Sequence, residues 1–236
     1  MPFTLDHVVP WGRSFDEYRR MFALTDDDLN TRILGCADGP ASFNAEATAA
    51  GLSVVSCDPL YRWTAEQIRE RIHETLNIVL EQTRRNRHEF VWSSIRSIEG
   101  LRDLRMSSMD RFLHDYESGR KDGRYVDAEL PKLPFSDDAF RLALCSHFLF
   151  LYSEQFSEDF HVEAVREMCR TAHEVRVFPL LALGGSRSEH IEPVSRRLRD
   201  GGYVVHIEQV PYEFQRGGNQ MMKIQSHSSN RSFAVE

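Results

Sequence analysis

Small residues and a carboxylate occur at the ends of two apolar runs in the first part of the chain. The segment 35–41 reads GCADGPA; it follows the apolar run 32–36 and precedes an alanine-rich helical pattern. Small residues let a ligand approach the backbone, and the start of a helix favours negative groups. Asp58 ends the next β-branched run, where a carboxylate can accept hydrogen bonds from both ribose hydroxyls. This pair indicates a nucleoside site; the alternative is a structural turn and an aspartate that merely ends a strand.

A histidine and a serine end a later apolar run. Ser146 and His147 close the run 140–148, shortly before Tyr152 and Glu154. Histidine titrates near neutral pH and can remove a proton from a hydroxyl or an amine. We therefore expect His147 to be a candidate catalytic base that lines a ligand pocket. The alternative is a half-buried, hydrogen-bonded side chain that only shapes the pocket.

An arginine lies ahead of the first predicted strand. Arg13 belongs to the segment WGRS, residues 11–14. An arginine on such a loop can clamp the carboxylate of a cofactor or of a substrate. The alternative is a surface loop whose tryptophan packs on the N-terminal helix.

Strand and helix patterns alternate along most of the chain. Helices are predicted at 14–30, 43–51, 64–87, 98–116, 161–172 and 193–199, and strands at 32–36, 53–58, 124–128, 140–148, 174–183, 203–214 and 220–224. Gly217 and Gly218 separate the last two strands, which predicts an antiparallel hairpin. The alternation predicts an α/β fold with a doubly wound, mostly parallel sheet, which binds ligands at the carboxyl ends of its strands. His161, in a later helix, is expected to be solvated or to cap that helix.

Composition limits the classes of function. The chain has 236 residues, a formal net charge of −7 and 41% apolar residues, which suits one large domain. No apolar run is long enough to cross a bilayer and the first residues lack a signal-peptide pattern, so we expect a cytoplasmic protein without a membrane partner. The negative charge disfavours nucleic acid, and the basic runs 84–88 and 196–199 are interpreted as solvated helix faces.

The four cysteines indicate neither disulfides nor a metal site. Cys36, Cys57, Cys145 and Cys169 lack the spacing of zinc ligands. A chain of this length can build a core without disulfides. We expect reduced, buried thiols and no metal.

Further segments complete an order of motifs that belongs to a known superfamily. Residues 125–131 read YVDAELP, residues 133–140 read LPFSDDAF, and residues 142–152 read LALCSHFLFLY. Together with the glycine turn and Asp58, this order resembles the class I methyltransferases that use S-adenosylmethionine, over roughly residues 31 to 225. The blocks VVPWGRS, LLALGG and PYEFQRGG also look like an uncharacterised bacterial branch of that superfamily.

The resemblance implies roles for individual residues. The turn from Gly35 to Gly39 would face the methionine part of the cofactor, Asp58 the ribose, and Asp127 the adenine amino group. The cofactor-binding residues that it implies are Gly35, Cys36, Ala37, Asp38, Gly39, Asp58, Pro59, Asp127, Ala128, Ser146 and Arg13.

The sequence departs from the superfamily pattern within the first strand and its turn. Ile33 or Leu34 stands where an acidic residue is usual, and Ala37 replaces the middle glycine of the turn. In the fourth strand, Arg141 stands where an aspartate is usual. These departures leave open a module that binds S-adenosylmethionine or another nucleoside without catalysis.

The resemblance also implies the fold and the reaction. It implies a Rossmann-like methyltransferase fold with a seven-stranded sheet, formed by a single domain 1–236 with an N-terminal helical cap 1–30 and a helical insertion 88–123. It implies transfer of a methyl group from S-adenosylmethionine to an unidentified, small-molecule acceptor. A nicotinamide enzyme is disfavoured because the turn lacks the G-x-G-x-x-G spacing.

Overall fold

Seven strands form one mixed sheet in the computed structural model, which describes residues 8–226. The strand order is β3-β2-β1-β4-β5-β7-β6. The strands are β1 Arg32–Cys36, β2 Ser53–Cys57, β3 Tyr125–Val126, β4 Phe140–Ser146, β5 Ala172–Phe178, β6 Tyr203–Gln209 and β7 Gln220–Ser226. β7 is antiparallel to both of its neighbours, and the other strands run in one direction. The predicted α/β fold class, with its C-terminal antiparallel pair, is confirmed.

Seven α-helices accompany the sheet within residues 8–226. They are α1 Phe15–Met21, α2 Asp26–Leu29, α3 Phe43–Ala49, α4 Ala65–Arg85, α5 Ile98–Lys121, α6 Glu158–Thr171 and α7 Ile191–Asp200. No helix in this part of the chain combines the length and the apolar character needed to cross a membrane. The boundaries of the predicted cap and insertion stay predictions, and the first seven residues of the cap lie outside the described residues.

The sheet is covered on both faces. Successive residues of a strand point to opposite faces, and the two middle residues of β1 show this clearly. Ile33 belongs to a buried cluster with Tyr18 of α1 and Phe43 of α3, whereas Leu34 belongs to a cluster with Val162 of α6. The central strands are therefore buried on both sides, and their carboxyl ends are left as the place for a site.

Helix α6 begins at Glu158, before the predicted start at residue 161, because the Ser157 hydroxyl caps it by accepting from the Phe160 backbone. Two other predicted helices differ more from the structure. The single helix expected at 14–30 is two helices, because Thr25 starts α2 with a capping box: its hydroxyl accepts from the Asp28 backbone, and the Asp28 carboxylate accepts from the Thr25 backbone. Helix α5 continues past Tyr116, where the predicted helix ends, to Lys121. Gly119 explains the extension, since a Cβ atom there would lie 2.4 Å from the Tyr125 ring, so the glycine lets the helix pack on β3.

Three strands are shorter than predicted by three residues or more. β5 ends at Phe178, whereas the predicted strand continues to residue 183. β3 contains only Tyr125 and Val126 of the predicted run 124–128. β6 ends at Gln209, because the next residues turn away from the sheet at Val210 and Pro211 and carry Tyr212 to the functional site.

Candidate functional site

A cavity of about 760 Å³ opens at the carboxyl ends of β1, β2, β4 and β5. Its volume lies in the range of small-molecule binding sites, roughly 300–1,000 Å³. Of the predicted site residues, it is lined by Arg13, Ala37, Asp38, Gly39, Asp58, Pro59, Ser146 and His147. The structure thus brings together residues that are more than 100 positions apart in the sequence.

The glycine turn is tied to Asp58. The Gly39 backbone N–H donates to Asp58 Oδ2 at 2.9 Å, and the Leu60 backbone N–H donates to Oδ1 at 2.7 Å. Gly39 has φ +53°, and a Cβ atom built there would have its nearest contact at 4.0 Å, on Asp58 Oδ2. Each carboxylate oxygen uses one acceptor position on the backbone and keeps another for a ligand. Gly39 therefore leaves open space for a ligand, and the adjacent Asp58 carboxylate offers it hydrogen-bond acceptors.

Ala37 keeps the conformation that a glycine would adopt. Its φ is +55°, in the left-handed region that non-glycine residues rarely occupy. Its N–H donates to the Cys57 carbonyl at 2.8 Å, which holds the turn against β2. The replacement of the middle glycine thus adds backbone strain without changing the turn's connection to the neighbouring strand.

Asp38 is buried inside the turn and holds two hydroxyl groups. Tyr18 donates to Oδ1 at 2.8 Å, and Ser56 donates to Oδ2 at 2.6 Å. A Cβ atom at Gly35 would lie 1.8 Å from Asp38 Oδ2. Gly35 therefore makes room for the Asp38 carboxylate. The sequence analysis did not predict that Asp38 holds the turn by these hydrogen bonds.

Both aspartates at this end of the cavity are hard to ionise. Burial raises the pKa of Asp38 to about 6, although the hydrogen bonds from Ser56 and Tyr18 oppose the shift. Burial likewise raises the pKa of Asp58 to about 6, and the charges of Asp127 and Glu129 add to the shift. A ligand that donates hydrogen bonds or carries positive charge would favour their ionised forms.

His147 is fixed at the end of β4. Its φ is +52°, its N–H donates to the Phe178 carbonyl at 2.6 Å, and its Nδ1 lies 2.9 Å from the Ser146 hydroxyl oxygen. Burial lowers the pKa of His147 well below its usual value, and the positive charges of Arg13 and Arg105 lower it further. The imidazole is therefore neutral at physiological pH and can accept a proton.

Arg13 is presented to the cavity by a tightly packed loop. A Cβ atom at Gly12 would lie 2.0 Å from the Pro40 carbonyl oxygen, so this glycine lets the loop touch the turn after β1. Arg13 Nη1 donates to the Trp11 carbonyl at 3.0 Å, and its buried Nε has no hydrogen-bond partner. Among residues 8–226, no carboxylate forms an ion pair with Arg13. Burial and the charge of Arg105 lower the pKa of Arg13 to about 10, so it remains a cation.

A buried ion pair beside the cavity was missed by the sequence reading. Arg105 of α5 donates to both carboxylate oxygens of Glu17 at 2.6 and 2.7 Å, and Tyr212 donates to the same carboxylate at 2.9 Å. Arg105 is 1% exposed and lines the cavity. The available signal was an arginine four residues after Leu101 and four before Met109, on the buried stripe of the helix.

Four predicted cofactor residues lie outside the cavity lining. Gly35 and Cys36 are buried in β1, and Ala128 is partly buried against the core. Asp127 is exposed and forms an ion pair with Arg62 at 3.3 Å. Arg62 lines the cavity, whereas Asp127 does not. The roles assigned to Gly35, Cys36, Asp127 and Ala128 stay predictions.

Two further expectations concern residues away from the cavity. His161 is fully buried, with Nδ1 2.8 Å from the Ser157 carbonyl and Nε2 3.0 Å from the Leu149 carbonyl, so the expected solvated or capping role is wrong. All four cysteines are free and buried. Within residues 8–226 no cluster of histidine, cysteine and acidic side chains could hold a metal ion.

Comparison with solved structures gives only a distant likeness. The chain resembles the pyocyanin biosynthetic protein PhzM with a TM-score of 0.49 and 13% identity, over 89% of this chain and 54% of that one. It resembles a SAM-dependent methyltransferase from Aquifex aeolicus with a TM-score of 0.41 and 13% identity, over 88% of this chain and 90% of that one. We therefore infer the function from the residues of the chain's own cavity.

Comparison of sequences gives a relative of nearly equal length. No family model matches the chain. The "uncharacterized protein MJ0045" of Methanocaldococcus jannaschii is 34% identical over 222 residues, which are 94% of this chain and 97% of that protein. This relative is archaeal, and the bacterial branch stays a prediction. The chain belongs to the same protein family as MJ0045.

Proposed function

We propose that the protein is a methyltransferase that uses S-adenosylmethionine and methylates a small molecule. One observation carries the proposal: the glycine turn, Asp58 and His147 line a single cavity at the carboxyl ends of the central strands. In doubly wound sheets this edge is where nucleoside cofactors bind. The cavity volume of about 760 Å³ suits a small acceptor, and we place the protein in the cytoplasm.

The residues present fit the cofactor at three points. Asp58 has acceptor positions for ribose hydroxyls, and Gly39 leaves open space beside that carboxylate. Arg13 has an unpartnered Nε that would receive a carboxylate, either that of the cofactor or that of the acceptor. On the adenine side, Pro59, Leu60 and Trp63 line the cavity, and the hydrogen bond from adenine to Asp127 is part of the proposal.

The chain's own residues would contribute mainly by positioning. S-adenosylmethionine supplies a methyl group on a positively charged sulfonium, which an acceptor attacks in line. Most of the rate can then come from holding the acceptor on the methyl axis, about 3 Å away. His147, neutral and at the end of β4, would remove the acceptor's proton where it carries one.

Isothermal titration calorimetry with S-adenosylmethionine and S-adenosylhomocysteine tests the proposal directly. We expect both compounds to bind the folded protein. Absence of binding at millimolar concentration would refute the proposed function.

A binding module without catalysis is a second candidate. Ile33 and Leu34, which stand where the superfamily has an acid, are both fully buried, so β1 contributes no carboxylate of its own. Incubation with methyl-labelled cofactor and a cell metabolite extract separates the two candidates. The enzyme would produce labelled small molecules, whereas the binding module would produce none.

A further inference from the structure

Two arginines lie close enough to His147 for their positive charges to act on it. Arg13 and Arg105 both line the cavity, and Glu17 is the carboxylate paired with Arg105. Arg13 has no carboxylate partner among residues 8–226 and keeps its positive charge. The Nε atoms of both arginines are buried without a hydrogen-bond partner. A buried cation with unused donors is a favourable place for an oxygen atom that carries negative charge.

The surroundings of these cations are largely apolar. Phe148, Leu151, Tyr152, Leu183 and Phe214 line the same cavity. Such side chains favour a flat or apolar ligand body, and charged interactions are stronger there than in water. The ligand that fits has an apolar body and an anionic oxygen.

Asp38, Asp58, Glu70 and Glu74 also line the cavity, but the charges that act on His147 are those of the two arginines. Both oxygens of Asp38 are occupied by Tyr18 and Ser56, and both oxygens of Asp58 accept from backbone N–H groups. The cofactor's sulfonium would add a positive charge where the acceptor must lie. An ammonium group would be repelled there, and an oxyanion would be attracted.

We propose that the acceptor carries an acidic hydroxyl, as in a carboxylic acid, a phenol or an enol, on an apolar body, and that it reacts as an oxyanion beside Arg13, Arg105 and His147. This inference rests on the proposed function. The acceptor oxygen forms the new O–CH₃ bond with its lone pair, while the S–CH₃ bond breaks and its electrons stay on sulfur. A phenol or an enol gives its hydroxyl proton to His147, whereas a carboxylic acid is already ionised at neutral pH and needs no base.

The state of His147 agrees with an acidic acceptor. Its Nδ1 faces the Ser146 hydroxyl, and no hydrogen bond among the described residues uses Nε2. Burial and the two arginines lower its pKa, so it is a weak base. A weak base removes the proton of an acidic hydroxyl far more readily than that of an alcohol.

Three probes with the same two-ring body test the charge preference: 2-naphthoate, 2-naphthylmethanol and 2-naphthylmethylammonium. Calorimetry at pH 7.5, without cofactor, should show that the anion binds at least tenfold more tightly than the ammonium ion. Equal binding, tighter binding of the ammonium ion, or binding of none of the three at millimolar concentration would overturn the proposal.

Two arginine variants locate the preference within the cavity. Arg13→Gln should reduce the ratio of the two affinities to near one, because it removes the cation that lacks a carboxylate partner. Arg62→Gln is the matched control, since Arg62 lines the cavity beside Asp58 but is paired with Asp127. Arg62→Gln should leave the ratio of the two affinities unchanged. An equal decrease of this ratio in both variants would contradict the assignment of the anion preference to Arg13.

The same experiments separate this inference from the proposed function. Binding of S-adenosylhomocysteine is measured on its own, and the probe measurements need no cofactor. Cofactor binding without an anion preference would refute only the acceptor class. An anion preference without cofactor binding would refute the methyltransferase.

Discussion

Asp58 is the single residue on which cofactor binding should depend most. We predict that Asp58→Ala weakens binding of S-adenosylhomocysteine by about 1.5–3 kcal/mol, because a charged acceptor of ribose hydroxyls is lost. Calorimetry measures the change. Asp137→Ala is the control, since that carboxylate is 76% exposed and pairs with Arg170 at the surface. Unchanged affinity in the Asp58 variant would mean that the ribose lies elsewhere.

Asp38 should make stability depend on pH in a defined direction. Its pKa is about 6 in the folded protein against 3.8 as its ordinary value. The folded state therefore holds the proton more tightly, and this contribution to stability is full below pH 3.8 and is lost as the pH rises through 6. Asp38→Asn keeps a neutral partner for Tyr18 and Ser56 at every pH.

We predict that Asp38→Asn changes the free energy of unfolding by an amount that depends on pH. Near pH 4 the variant and the original protein should have similar free energies of unfolding. At pH 7.5 the variant should be relatively more stable by on the order of 2–3 kcal/mol, since each pKa unit corresponds to about 1.4 kcal/mol. Urea unfolding at both values measures this. A difference that does not grow with pH would contradict the assigned cause.

His147 should affect turnover and leave cofactor binding unchanged. We predict that His147→Asn lowers the rate of methyl transfer from the labelled cofactor to the acceptor by about 10²–10⁴-fold, because a general base acts on the transition state. Asparagine tolerates the positive φ of this position better than alanine does. A loss confined to acceptor affinity would show that His147 only shapes the pocket.

At the residue scale, the sequence located the site but not its internal contacts. Asp58 and His147 could be placed because each ends a strand, and strand ends meet at one edge of a parallel sheet. The hydrogen bond from Tyr18 to Asp38 could not, because it joins a helix to a turn through tertiary packing. The pairing of Arg105 with Glu17 spans 88 residues and has no local signal that names the partner.

At the scale of elements, the contact between α1 and α5 depends on one buried ion pair. We predict that Glu17→Gln lowers the free energy of unfolding by about 3–5 kcal/mol, because Arg105 is left as a buried charge without a counterion. Urea unfolding measures the loss. Glu81→Gln is the control, since Glu81 pairs with Arg84 and Arg85 on the exposed face of α4 and should change stability little. Similar losses in both variants would contradict this role.

Periodicity predicted the existence of elements better than their ends. The long helices α4 and α5 were recognisable from their apolar stripes. The break between α1 and α2 depends on one capping box at Thr25, and the extension of α5 depends on Gly119 against Tyr125. Both are contacts of one or two residues, which a pattern over a whole segment does not detect.

At the scale of the whole molecule, the cavity joins parts of the chain from the first described residues to the last turn. Val8 and Val9, the ends of the central strands, and Gln215 and Gly218 all line it. A ligand there contacts the entire fold, so binding should stabilise the protein as one unit. We predict that S-adenosylhomocysteine at 100 times its dissociation constant raises the free energy of unfolding by about 2.7 kcal/mol. Thermal unfolding at increasing ligand concentration checks this, and adenine alone, which reaches only part of the cavity, is the control.

The position of β7 in the sheet has a consequence for biosynthesis. β7 is the last of the seven strands to be synthesised, yet it lies between β5 and β6. On the ribosome, β6 emerges before it has a partner, and β5 keeps an open edge until residues 220–226 appear. During that interval the nascent chain presents two unpaired edges, which are the part of a sheet most prone to pair with other chains. Chaperone capture should therefore be strongest for released chains that are truncated between β6 and β7.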